Sequence, residues 1–157
     1  MSTHEDLSFA VTVTSVQGTW TVAEYDDEFQ DVADAVSAVR KLRAEGPAFA
    51  LICVEDDYFI IVRPTPGRVK VLLSDATAAL DDDYAASALE LVGAETPAEE
   101  EDSYPEGDFD IFEDLGASEQ VMSVIADDDE AWASEQLQRI ADELGCGDEF
   151  ADTLDLD

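Results

Sequence analysis

The sequence predicts an α+β fold: an antiparallel five-stranded sheet in ββαβββα order, followed by a small C-terminal helical unit. Three observations carry this. Short runs near the N-terminus alternate apolar and polar residues, as half-buried strands do. Ala48 to Val54 is almost wholly apolar, as a central strand would be. Beyond residue 108 apolar residues recur every three or four positions, the spacing of amphipathic helices.

The elements follow in order. Phe9, Val11 and Val13 alternate with Ala10, Thr12 and Thr14 in the first strand. Gln17-Gly18 makes a turn, and Trp20 and Val22 continue the alternation in a second strand, completing a hairpin. Val32, Ala35, Val36, Val39 and Leu42 recur at helical spacing until Gly46-Pro47 stops the helix. Arg40, Lys41 and Arg43 fall in its last turn, where positive charge suits the helix dipole. Ala48–Val54 and Tyr58–Arg63 are the next strands, with Glu55-Asp56-Asp57 turning between them. Pro64-Thr65-Pro66-Gly67 breaks the chain before Val69, Val71 and Leu73 alternate in a fifth strand. A short helix covers about Asp81 to Val92, with Tyr84, Ala88, Leu91 and Val92 on its apolar side. This order resembles the roadblock and profilin-like sandwiches, where a helix covers one face of an antiparallel sheet. A likeness of topology says little about function.

Residues 1–94 thus form a sheet domain. Residues 95–108 hold Pro97, Pro105, Gly107 and the run Glu99 to Asp102, and read as an extended acidic linker. Residues 109–157 form the helical unit. Phe109, Phe112 and Leu115 are spaced by three before Gly116, and Ser118 can cap a helix holding Val121, Met122, Val124 and Ile125. Asp127 to Asp129 offers the next cap. Ala133, Leu137, Ile140, Ala141 and Leu144 then form a stripe ending at Gly145, and Phe150 and Leu154 suit one more turn. A unit of this size is marginal alone, so it would dock on the sheet domain or on a partner.

Charge narrows the function classes. Forty Asp and Glu oppose seven Lys and Arg, a formal net charge of −33. Residues 71–157 contain 28 of the acids and a single base, Arg139. Phosphate binding depends on Lys and Arg, so direct nucleic-acid binding is not expected. A basic protein is the natural complement, although solubility or adaptation to high salt also explains an acidic face. The first six residues show neither a basic nor an apolar segment of a signal peptide, and no run of about 18 apolar residues could span a membrane. Cys53 in an apolar run and Cys146 between two glycines do not look like a disulfide framework, which suits the cytoplasm.

Catalytic signatures are missing. His4 is the only histidine and lies at the N-terminus, so no enzyme is expected to run on a Ser-His or Cys-His pair. No His-x-Glu with a later Pro-Cys-x-x-Cys, phosphate-binding glycine loop or Cys-x-x-Cys pair occurs. Asp102, Glu106, Gly107 and Glu113 fall at positions 1, 5, 6 and 12 of a calcium-loop pattern, but Tyr104 and Pro105 occupy positions 3 and 4. The segment reads as an acidic linker. Contiguous runs such as Asp81–Asp83 and Asp127–Glu130 splay apart and suit helix capping. No metal and no cofactor are expected. Arg63, Arg68 and Lys70 flank the Pro64–Gly67 turn. They offer an anion contact or, more simply, balance acidic neighbours.

The order of segments then becomes familiar. Leu7–Val11, Trp20, Gly46–Leu51, Glu55–Arg63, Gly67–Val69, Leu72–Ala79, Gly107-Asp108, Asp114–Gly116 and Ala141–Gly145 together resemble the actinobacterial family of tRNA adenosine deaminase-associated proteins. Leu72 to Ala79 is the most specific piece. The resemblance spans nearly the whole chain and brings no catalytic residues. It implies an accessory protein linked to the enzyme that converts adenosine to inosine at the tRNA wobble position. Because family members are already acidic, it weakens the high-salt explanation. The first functional reading is a non-catalytic binding protein whose partner is that deaminase or another basic protein, met by an acidic regulatory or RNA-mimicking surface. The second is an interaction scaffold of unrelated purpose, and the third an enzyme using unassigned carboxylates. The candidate partner-binding residues are Phe109, Trp132, Asp127, Asp128, Asp129 and Glu130. Phe112 and Met122 also come into view as anchors, but read better as core of the helical unit. Trp132 is preferred because it lies off the Leu137–Leu144 stripe.

Overall fold

A computed structural model describes residues 9–24, 32–42, 46–54, 58–65, 67–80, 82–95, 98, 104–128 and 131–154. Strands β1 (Phe9–Val16) and β2 (Thr19–Glu24) form the N-terminal hairpin. Helix α1 (Val32–Lys41) leads to β3 (Ala48–Val54), β4 (Tyr58–Thr65) and β5 (Arg68–Leu73). A 3₁₀ turn at Ala76–Leu80 precedes helix α2 (Asp83–Val92), whose N-cap Asp82 accepts from the Tyr84 N–H. A two-residue strand, β6 (Glu106–Gly107), and a 3₁₀ turn at Glu113–Leu115 follow. Helices α3 (Glu119–Ala126), α4 (Ala133–Leu144) and α5 (Gly147–Leu154) complete the chain.

The fold is α+β with a single antiparallel sheet, in the order β2-β1-β3-β4-β5-β6. The sheet has six strands rather than the expected five, so the ββαβββα order is incomplete as a description. The sixth is β6, which lies within the segment expected to be linker. It pairs Gly107 with Leu72 and Glu106 with Leu73. Two backbone bonds flank this pairing, from Ala76 N–H to the Tyr104 carbonyl and from Asp108 N–H to the Val71 carbonyl, both at 2.8 Å. Gly107 is required here: its φ is +130°, and a Cβ would run into the Val71 carbonyl. The other residues of 96–103, apart from Ala98, lie outside the described residues.

Alternation sorts the strand side chains onto two cores, because successive residues of a strand face opposite ways. Val11, Val13, Phe49, Leu51, Phe59, Ile61 and Leu72 face one side, together with Ile111, Phe112 and the apolar stripes of α3, α4 and α5. Ala50, Ile52, Tyr58, Ile60, Val62, Val71 and Leu73 face the other, with Ala35, Val36 and Val39 of α1 and Ala85, Ala88 and Leu89 of α2. The sheet is therefore covered on both faces, not one. This explains why Tyr58 to Arg63 is buried at every position. Aromatic contacts tie the C-terminal helices down. Phe112 lies 4.5 Å from Phe49 between ring centroids, and Phe150 meets Phe9 edge-on at 5.8 Å. Trp20 also meets Phe49 edge-on, at 6.2 Å. The Thr153 hydroxyl donates to the Val22 carbonyl at 3.0 Å, fixing α5 to the edge strand.

Candidate protein-interaction surface

Helix α3 places the apolar run Val121–Ala126 on a short helix that has one core-facing side. At 100° per residue not all of these side chains can face inward. Met122, Ile125 and Ala126 are buried, whereas Val121 is only partly covered and Val124 is 70% exposed. Helix α4 runs back alongside with Ala133, Leu137, Ile140, Ala141 and Leu144 buried and Glu135, Arg139, Asp142 and Glu143 exposed.

The turn between these helices is fixed from below. Gln136 is 5% exposed and sits inside the apolar stripe. Its amide nitrogen donates to the carbonyls of Ile125 at 2.8 Å, Ala126 at 3.3 Å and Asp128 at 3.2 Å. It thus adds a side-chain donor to carbonyls at and just beyond the C-terminus of α3, where Ile125 and Asp128 otherwise accept only longer bonds of 3.3 Å from the Asp128 and Ala131 N–H groups. From outside, Arg139 pairs with Asp128 at 2.7 Å. The expected Asp127–Asp129 cap for α4 is not formed. Asp127 instead continues α3 as its C-cap, and α4 starts from Trp132, whose N–H donates to the Glu135 carboxylate at 3.1 Å.

The candidate residues are placed as follows. Trp132, at the start of α4, is 42% exposed. Phe109 is partly buried and packs against the core shared by sheet and helices. Asp127 is exposed, and Asp128 is half-buried and paired with Arg139. Asp129 and Glu130 lie outside the described residues. Phe112 and Met122 are fully buried. The structure adds Val121 and Val124, whose signal was the crowding of four apolar residues into the five positions Val121–Ile125.

Electrostatics sharpen the surface. Each described cation beyond α1 is held by a carboxylate. Arg63 makes a two-pronged pair with Asp114 at 2.6 and 2.9 Å, Arg68 meets Asp108 at 2.7 Å, and Lys70 meets Asp110 at 3.3 Å. The basic cluster around the β4–β5 turn therefore balances the acidic segment 108–114, and Arg63 also donates to the Ile111 carbonyl at 2.7 Å. The Arg63 hydrogen bond holds the Asp114 carboxyl below its usual range. Asp108 and Asp110, within the span of the calcium-like pattern, are engaged in this way, and no cluster of three or more metal-ligating side chains occurs among the described residues. Outward on α3–α5 stand Glu119, Asp127, Glu135, Asp142, Glu143, Asp148, Glu149 and Asp152, all exposed.

Both cysteines are buried, and they are not joined in a disulfide. Burial, and then the Glu149 charge, push the Cys146 thiol up to about 11, so it is a poor nucleophile at neutral pH. Among the described residues no helix is long and apolar enough to cross a membrane.

The model of the family described as Rv3753c-like tRNA adenosine deaminase-associated protein matches residues 8–147. The chain belongs to this family. It is also 39% identical over 151 residues to Protein Rv3753c of Mycobacterium tuberculosis, covering 94% of this chain and 87% of that one. No solved structure matches. Family membership is carried by the sheet and by most of the helical face, since the matched span ends at the first residue of α5.

Proposed function

We propose that the protein is a non-catalytic, cytoplasmic accessory partner of the tRNA adenosine deaminase, acting through the acidic outer face of α3–α5. The observation that carries this reading is the pairing of every described cation beyond α1, which leaves that face with an uncompensated negative field. The family description supplies the partner. A deaminase that handles tRNA needs a basic surface for phosphate, and an acidic protein is complementary to such a surface. Neither a cofactor nor direct contact with nucleic acid has a role in this reading.

Charges at the rim of an interface mainly speed association, and apolar anchors set its lifetime. Trp132 is the aromatic anchor among the candidates. The test is association of the purified protein with the deaminase of the same organism. Association should be at least about tenfold slower at high than at low ionic strength, as the Debye length shrinks from about 10 Å at 0.1 M to about 3 Å at 1 M salt. Trp132→Ala should speed dissociation while the sheet keeps its stability. No association at low salt refutes the reading.

A further inference from the structure

One feature of the helical face stays open to solvent. Between α3 and α4 runs an open groove of about 560 Å³. Val121 and Val124 line its α3 side, and Arg139, Asp142 and Glu143 its α4 side. These are two parallel ridges, since residues three and four apart share one side of a helix. Among the described residues Val124 is the most exposed of the large apolar side chains, at 70%. A β-branched residue at an exposed helical position also gives up helix propensity relative to Ala, Lys or Glu. Local folding therefore does not account for it. Of the other exposed large apolar residues, Trp132 stands at the start of α4, and Val16, Leu42, Leu80 and Leu91 lie away from these two helices.

We propose that this groove docks a basic amphipathic helix of the partner. The partner's apolar side chains would sit on Val121 and Val124, and its Lys or Arg would reach Asp142 and Glu143. Two packed helices present a groove that a third can enter with its apolar stripe, anchored at i, i+3 and i+4. The sign of the occupant follows from the rim. Its single cation, Arg139, is already held by Asp128 at 2.7 Å, whereas Asp142 and Glu143 are exposed. A second copy of a chain at −33 would be repelled, as would an anionic lipid surface. The proposal rests on the accessory reading for the identity of the partner, but the groove is testable apart from it.

The probe is a designed amphipathic Leu/Lys helical peptide, set against a scrambled peptide of the same composition and charge. The full-length protein should bind the amphipathic peptide at least about tenfold more tightly than the scrambled one. Methyl NMR shifts should concentrate on Val121, Val124 and Ile125. Val124→Ser alters an exposed site and keeps the charge, so the fold is retained, and it should remove most of the preference. The double variant Asp142→Asn, Glu143→Gln should weaken both peptides. Equal binding of the two peptides, an unchanged preference in Val124→Ser, or methyl shifts centred elsewhere would each overturn the groove. The deaminase forms a separate arm. If it binds the native protein and Val124→Ser equally, the groove is wrong and the accessory reading stands. If the groove takes the peptide and the deaminase does not bind, the groove stands and the accessory reading falls.

Discussion

Replacing Gln136 with Leu would remove the one side chain that closes the α3–α4 turn from inside. Leu is close to Gln in volume, so the site stays filled and no large cavity opens. The loss is of donors. The Gln136 amide offers two hydrogens to three carbonyls, those of Ile125, Ala126 and Asp128. The Ile125 and Asp128 carbonyls keep the backbone N–H groups of Asp128 and Ala131, each at 3.3 Å, so the Ala126 carbonyl bears the full cost of a buried acceptor without a donor, about 1–3 kcal/mol. Only the Ile125 bond, at 2.8 Å, is short, and the other two are longer than 3.1 Å. One stranded acceptor at about 2 kcal/mol and the short Ile125 bond at about 1 kcal/mol, less about 1 kcal/mol returned by a buried aliphatic side chain, leave a net loss of about 2 kcal/mol. For a chain of this length that lowers Tm by about 4–8 °C. The assay is urea unfolding followed by circular dichroism, with Gln120→Leu, at an exposed position of α3, as the control. If Gln136→Leu is as stable as Gln120→Leu, these hydrogen bonds do not secure the turn. Gln136 then does not hold α3 and α4 together.

Three further outcomes follow from the structure. Gly107→Ala should destabilise the fold by about 2 kcal/mol or more, because a Cβ meets β5 backbone at a left-handed φ; chemical denaturation measures it. Asp114 has a lowered pKa, so its pairing with Arg63 adds stability above the usual carboxylate pKa of 3.8 and loses it as pH falls through the lowered value. Asp114→Asn should be less stable than the native protein at neutral pH, with the gap closing in acid, as pH-dependent unfolding would show. Cys53 and Cys146 should both resist a disulfide reagent at pH 8 and react fully in denaturant; rapid labelling of either thiol in the native protein would contradict their burial.

Much of the sheet was legible because its signals are local and redundant. Alternation in Phe9–Val13, the apolar run of Ala48–Val54 and the Gln17-Gly18 turn each specify one element on their own. Cover on both faces was not read, because the order of elements was compared with folds in which a helix covers one face, although Tyr58 to Arg63 is buried throughout. Strand β6 was not legible. Its two residues carry no strand propensity and pair because Asp108 and Tyr104 offer backbone groups to β5 and the turn after it. The acidity of the helical face could be read by counting. What could not be read was that Asp108, Asp110 and Asp114 would be spent on the cations of a distant hairpin. Gln136 gave no signal in the sequence, because the carbonyls it serves belong to α3 and the residues just after it. Val124 was assigned with its apolar neighbours, as periodicity over eight residues fixes the phase of a helix poorly.

Because the described cations beyond α1 are already committed to partners within the molecule, the helical face must draw its neutralising charge from solution. The folded protein therefore carries a cloud of mobile monovalent cations over α3–α5. A basic partner that settles there sets part of that cloud free, and the gain in ion entropy becomes part of the affinity, as it does for proteins on nucleic acid. The slope of log affinity against log salt would then count the ions released, and so the carboxylates that a partner covers.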